Sequence, residues 1–159
     1  MNEQALQAIV DTVVSQMKPP QDITLDMALK LTEKVKAKAS KMGVKAVVAI
    51  SGKAGHPVSV QCMDDSYIAS YDIAVQKAFT SVSLKMSTST LKPLASPGGS
   101  LYGIQFTNGG KIVIFGGGEP LKNKDDVIIG GIGVSGGSEE QDSALAAYGK
   151  EIFEKGQCL

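Results

Sequence analysis

A few residues in this chain have types and spacing that could do chemistry. His56 is the only histidine, set in Gly55-His56-Pro57. One histidine cannot build a zinc site, but it can serve as a single axial ligand to a metal, the iron of haem included. The plainer reading is a solvent-exposed turn residue. Lys77 and Thr80 lie three apart in a helical pattern and so share a face. Such a pair ordinarily forms a solvated face; otherwise it could hold a ligand. Glu139, Glu140 and Asp142 open the last helical stretch, where acidic residues complement the helix dipole. Lys77 or that acidic cluster could instead take part in catalysis on a small metabolite, although no acid–base pair is visible. Met63 and Met86 could line an apolar pocket, but methionine more often fills a core.

Two motifs are weaker than they look. Gly131, Gly133 and Gly136 fit G-x-G-x-x-G between a strand and a helix. A dinucleotide fingerprint needs a βαβ unit with an acidic residue on a later strand. Here only a helix follows, so the glycines are expected to allow close backbone packing. The following helix N-terminus, near residues 135–138, could still meet an anion. No P-loop is present.

Composition narrows the classes. Sixteen basic and sixteen acidic residues balance in 159, which gives no electrostatic case for nucleic acid or an anionic membrane. Every basic residue but the histidine is lysine, which excludes the bidentate guanidinium fork. Cys62 and Cys158 form no metal spacing and no disulfide framework, so a reducing cytoplasm is expected. No apolar run approaches the roughly 18 residues that would span a bilayer.

These residues need elements to position them. Residues 2–17 place Leu6, Ile9, Val10, Val13, Val14 and Met17 on one helical face, with Asn2 as a plausible N-cap. Lys18-Pro19-Pro20-Gln21 follows; two prolines end the helix and stiffen a linker. Alone, a helix this short is marginal in water. It either packs on its own domain or docks on another protein. A membrane surface is disfavoured, because its polar face has no basic residue. The chain therefore divides into an amphipathic docking helix (1–18), a proline linker (19–22) and a domain (23–159). Deleting residues 1–18 is expected to leave the domain folded.

Within the domain, residues 23–42 read as a helix capped by Thr24 and stopped at Gly43. Residues 44–51 and 57–63 read as a hairpin with His56 in its turn. A helix over 65–86 and a short one over 89–95 come next. Residues 101–107 and 111–115 read as strands joined at Asn108-Gly109-Gly110. The Gly116–Pro120 run breaks the pattern. A last strand over 127–135 leads to a helix over 138–155 with a Ser138/Gln141 capping box. The expected fold is α+β, with a five-stranded, mainly antiparallel sheet covered by helices.

Taken together, several segments resemble the GlcG/HbpS-like, or haem-degrading domain, family, which includes the C-terminal domain of PduO-type proteins. The resemblance spans about residues 22–150. It rests on Ile23-Thr24-Leu25, Gly55-His56-Pro57, Ser70 to Thr80, Gly116-Gly117-Gly118-Glu119-Pro120-Leu121, and Ile132 to Gly136 followed by Glu140-Gln141-Asp142. It implies a profilin-like fold, homo-oligomer assembly, and binding of haem or another tetrapyrrole. His56 occupies a position where relatives commonly have His, and is the implied axial ligand. Lys77 and Thr80 match the family's helix motif and join it as implied cofactor-binding residues. Gly117, Pro120, Gly133 and Gly136 match structural turns. The lack of arginine departs from relatives and leaves lysine to meet any propionate.

The N-terminal segment resembles the encapsulation peptides of enzymes packed inside bacterial microcompartments. That implies a shell or cargo protein as partner of residues 2–17, and a place in the cytoplasm within such a compartment. The leading expectation is a binding module for haem or a corrinoid, more binder than enzyme. The alternatives are an enzyme on a small metabolite of the compartment pathway, or a ligand-free assembly factor.

Overall fold

The computed structural model describes residues 3–16 and 18–159 of the chain; the expected cap at Asn2 and the place of Met17 on the apolar face lie outside the described residues. Helix α1 (Glu3–Gln16) is followed by α2 (Leu25–Lys41), which starts where Thr24 Oγ1 accepts a hydrogen bond from Met27 N at 3.2 Å. Strands β1 (Val47–Gly52) and β2 (Pro57–Cys62) form the expected hairpin. Helices α3 (Ser70–Ser83) and α4 (Thr88–Ala95) come next. Strands β3 (Gly118–Lys122) and β4 (Ile128–Ser135) lead to α5 (Glu139–Glu154), which carries the full Ser138/Gln141 capping box.

Four strands form one antiparallel sheet in the order β2-β1-β4-β3, where five were expected. Residues 101–107 and 111–115 are not strands. Gly103, Asn108, Gly109 and Gly110 all take positive φ and curl the segment into two 3-10 turns, Ile104–Phe106 and Asn108–Gly110. A two-residue hairpin turn needs only two such residues. The apolar side chains of this segment, Leu101, Ile104, Ile112 and Ile114, gather instead with Leu91 and Ala95 of α4. The strand comes one step later, from the glycine run read as a break. Gly118–Lys122 pairs with β4, and Pro120 is tolerated there because β3 lies at the sheet edge.

Strand alternation gives the sheet two apolar faces. Val48, Ile50, Ile132 and Val134 bury against α2 and α5. Val47 and Ala49 face α3 and meet Ala74 and Ala78. Gly131 and Gly133 also face α3: a Cβ at Gly133 would run into the carbonyl oxygen of Ala74, and one at Gly131 would strike Ser81 and the Ala78 carbonyl. The glycine motif therefore serves helix–sheet packing.

Every described side chain of α1 is exposed. The linker behind it is held: Asn123 Nδ2 donates to Pro20 O at 3.0 Å, and Asp22 Oδ1 accepts from Ile23 N and Lys53 N at 2.9 Å each. No helix among the described residues is long and apolar enough to cross a membrane.

Two outcomes follow. Gly133→Ala should lower stability by about 1–3 kcal/mol in urea denaturation, and a fully stable variant would show that α3 lifts off the sheet at no cost. Removal of residues 1–18 should leave the melting temperature nearly unchanged. A fall of more than about 5 °C that persists on dilution, upwards of about 1 kcal/mol at this size, would assign the helix to the core of its own domain.

Candidate functional site

The residues singled out from sequence separate into two places along α3. The first is the buried middle of the helix, around Lys77. Lys77 sits in a run of small residues on one helical face, Ala74, Ala78 and Ser81, at i−3, i+1 and i+4. That face lies on the sheet, so the solvated face expected for Lys77 and Thr80 is overturned: both are fully buried. Lys77 Nζ donates to Val134 O at 2.8 Å and to Asp142 Oδ2 at 3.0 Å, and lies 5.0 Å from the centre of the Phe115 ring. Gly117 leaves room for it, since a Cβ there would come within 2.7 Å of Nζ.

Asp142 joins α5 to this centre. Its second oxygen accepts from Gly137 N at 2.9 Å. The free N–H groups expected to invite an anion near residues 135–138 are thus met by the chain's own oxygens: Gly137 N by Asp142, and Ser138 N by Gln141 Oε1. Burial pushes the Lys77 ammonium below the ordinary lysine value of 10.5, with the charge of Asp142 and then its hydrogen bond pulling the other way.

The acidic cluster divides. Glu140 is exposed and plays the dipole role. Glu139 accepts from Lys92 Nζ at 2.6 Å and Gly116 N at 2.9 Å, and those hydrogen bonds, Lys92 first, hold its carboxyl below the usual range. A cavity of about 280 Å³ opens beside this centre, lined by Tyr67, Ser70, Ile73, Phe115, Ser135 and Asp142 among others. Ser135 Oγ donates to Ser70 Oγ at 3.0 Å in its wall. Two carboxylates and two ammonium groups here are paired one to one, and Lys77 has no exposed surface. The arrangement ties α3, β4 and α5 together, and Lys77 presents no surface to a substrate.

The second place is the β1–β2 turn at the other end of α3. His56 is exposed there, as the turn reading anticipated. Gly55, at φ +78°, lies against Phe79, whose ring a Cβ at Gly55 would strike. Lys111 Nζ lies 5.7 Å from the centre of the same ring. Thr80, the next residue, fixes the segment that carries this lysine: Val113 N donates to Thr80 Oγ1 at 3.0 Å, and Thr80 Oγ1 donates to Lys111 O at 3.3 Å. The structure thus gathers the His56 turn, an aromatic ring and an ammonium group. Thr80 braces this place from beneath, and Lys77 belongs to the other. Among the described residues, no group of three or more His, Cys, Asp and Glu side chains could hold a metal ion.

Sequence reasoning missed Asp142 as the partner of Lys77, and Phe79 and Lys111 beside the turn that carries His56. Small residues around Lys77 were the one available sign of its burial. The pairing across 65 residues has no local signature.

A family model for the haem degrading protein HbpS-like family matches residues 23–151. A 15.0 kDa protein from the dhaT-dhaS intergenic region of Citrobacter freundii is 42% identical over 131 residues, covering 82% of this chain and 92% of that protein. The corrinoid adenosyltransferase PduO of Salmonella typhimurium is 39% identical over 116 residues, covering 73% of this chain but only 34% of PduO. The chain therefore spans about a third of PduO's length. Among solved structures, a PduOC:heme complex superimposes with a TM-score of 0.78 at 35% identity, covering 82% of this chain and 94% of that one.

Lys77→Ala should lower stability by about 3–5 kcal/mol, because it leaves the Asp142 carboxylate buried and unpaired. Lys77→Met combined with Asp142→Leu should recover most of that loss. Between the depressed Lys77 value and 10.5, the unfolded chain binds the proton more readily than the folded one. The lysine's contribution therefore grows as pH rises through that window. Denaturation of wild type and Lys77→Met across alkaline pH checks the sign.

Proposed function

This chain belongs to the HbpS-like family, and on that premise we propose that it is a binding module for haem, with His56 as the axial ligand. The observation that carries this reading is the exposed His56 turn packed on Phe79, with Lys111 beside the same ring. These groups fit the chemistry of the ligand. An imidazole suits the iron, an aromatic ring suits the flat macrocycle, and an ammonium group suits a propionate as a point charge. A bound haem supplies a redox-active iron whose potential depends on its axial ligand. Thr80 acts as a positioning residue through its hold on residues 111–113. Lys77 contributes only by fixing α3. A corrinoid, also a flat macrocycle around a metal, is the alternative ligand. The adenosyltransferase activity named for PduO does not extend to this reading.

The second part of the proposal concerns location. Helix α1 exposes Leu6, Ile9, Val10 and Val13 at 45–53%, and a face this apolar calls for a protein partner. A shell or cargo protein of a bacterial microcompartment fits it. The similarity to PduO supports that setting, as does the absence of basic residues from the helix. A homo-oligomer of the domain is part of the same reading.

Haemin titration followed at the Soret band tests the ligand. Wild type should give a saturable shift; His56→Ala should abolish it, and Lys111→Glu should weaken binding by about tenfold, or ~1.4 kcal/mol. An unchanged haemin spectrum with wild type, alongside a saturable response to a cobalamin, would transfer the site to the corrinoid. A full response from His56→Ala would remove that residue from the model.

A further inference from the structure

A groove of about 390 Å³ lies at the root of α1. Pro19, Pro20, Met27, Ile129, Phe153 and Leu159 give it an apolar floor. Its rim carries Lys18, Lys122 and Lys124 against one acid, Glu154, and Lys122 is also paired with Asp126 at 2.7 Å. The rim is therefore positive on balance.

Helix α1 has the complementary character. Its charged residues are Glu3 and Asp11, with no lysine. Its apolar side chains, Leu6 to Val13, span about 10 Å at 1.5 Å per residue, and all four large ones are exposed among the described residues. The helix cannot easily turn back into the groove of its own chain. Only Met17 separates its end from Lys18, which already lines the groove. Pro19 and Pro20 bias the residues before them to extended backbone, and Pro20 is anchored through Asn123.

We infer that the groove receives α1 from a second copy of this chain, with the exchange made reciprocally. Two such copies form an isologous pair, a low-cost form of segment swapping. The apolar stripe lies on the floor, while Glu3, on the flank of that face, meets the lysine rim. This sheathes the stripe whenever no outside partner is engaged. The inference is independent of whether the domain binds haem, and it defines the competitor that any compartment partner must displace.

Disulfide trapping in the full chain tests it. In a Cys62→Ser background, one chain carries Val10→Cys and the other Lys124→Cys. Mixed and oxidised, the two should form a cross-linked heterodimer. Adding Val13→Asp to the first chain should cut the yield by about tenfold or more, since it places a charge in an apolar groove. An excess of peptide spanning residues 2–17 should compete to a similar extent. Position 13 is exposed on a helix that is not part of the core, so Val13→Asp leaves the domain folded, as circular dichroism can verify. No cross-link would overturn the proposal. So would a cross-link indifferent to Val13→Asp, or a doubly substituted chain that cross-links only within itself.

Discussion

The contact on which most of this structure depends is the flush packing of α3 against β4. It exists because Gly131 and Gly133 present bare backbone to the helix where any side chain would collide with Ala74 and Ala78. At that short separation Lys77 reaches the Val134 carbonyl through the sheet face and the Asp142 carboxylate beyond it. The same approach aligns Ser70 with Ser135 at one end of the helix. At the other it sets Phe79 against Gly55. A helix lifted off the sheet would lose these contacts together, so the two glycines govern places well separated along the helix.

That geometry explains why the two lysines of interest have opposite roles. Lys77 is enclosed, and its ammonium is satisfied by a carbonyl, a carboxylate and a ring face. A buried charge of this kind helps to specify one arrangement of α3, β4 and α5 more than it adds net stability. Lys111 lies at the outer end of the helix, on a segment that the Thr80 hydroxyl ties to α3. Residues 77 and 80, three apart in the motif, thus serve different ends of the molecule.

Much of the fold was legible in local patterns. The caps at Thr24 and Ser138 mark two helices, and the 57–63 alternation with the Gly55-His56-Pro57 turn marks the hairpin. The error lay where local and tertiary signals compete. Residues 101–115 have β-rich composition and a glycine turn, yet their apolar side chains are drawn to α4 instead of to a neighbouring strand. Conversely, the strand-poor Gly118–Lys122 becomes an edge strand because β4 has an open side. Of the site, His56 and the Lys77–Thr80 motif were visible as residue types. Their partners Asp142, Phe79 and Lys111 come from distant elements, and no spacing rule connects them.

Asp22 has a consequence of a mechanical kind. One of its carboxylate oxygens holds Ile23 N, at the start of the domain, and Lys53 N of the β1–β2 turn at once. Gly52 leaves space for that oxygen, which would lie 2.8 Å from a Cβ there. The tether that leads to α1 is therefore pinned to the loop that displays His56. Beyond the Pro20–Asn123 contact, tension applied to the N-terminal helix reaches this carboxylate, whose other partner, Lys53, lies three residues from His56, so the mooring of the chain and the shape of that loop share one joint.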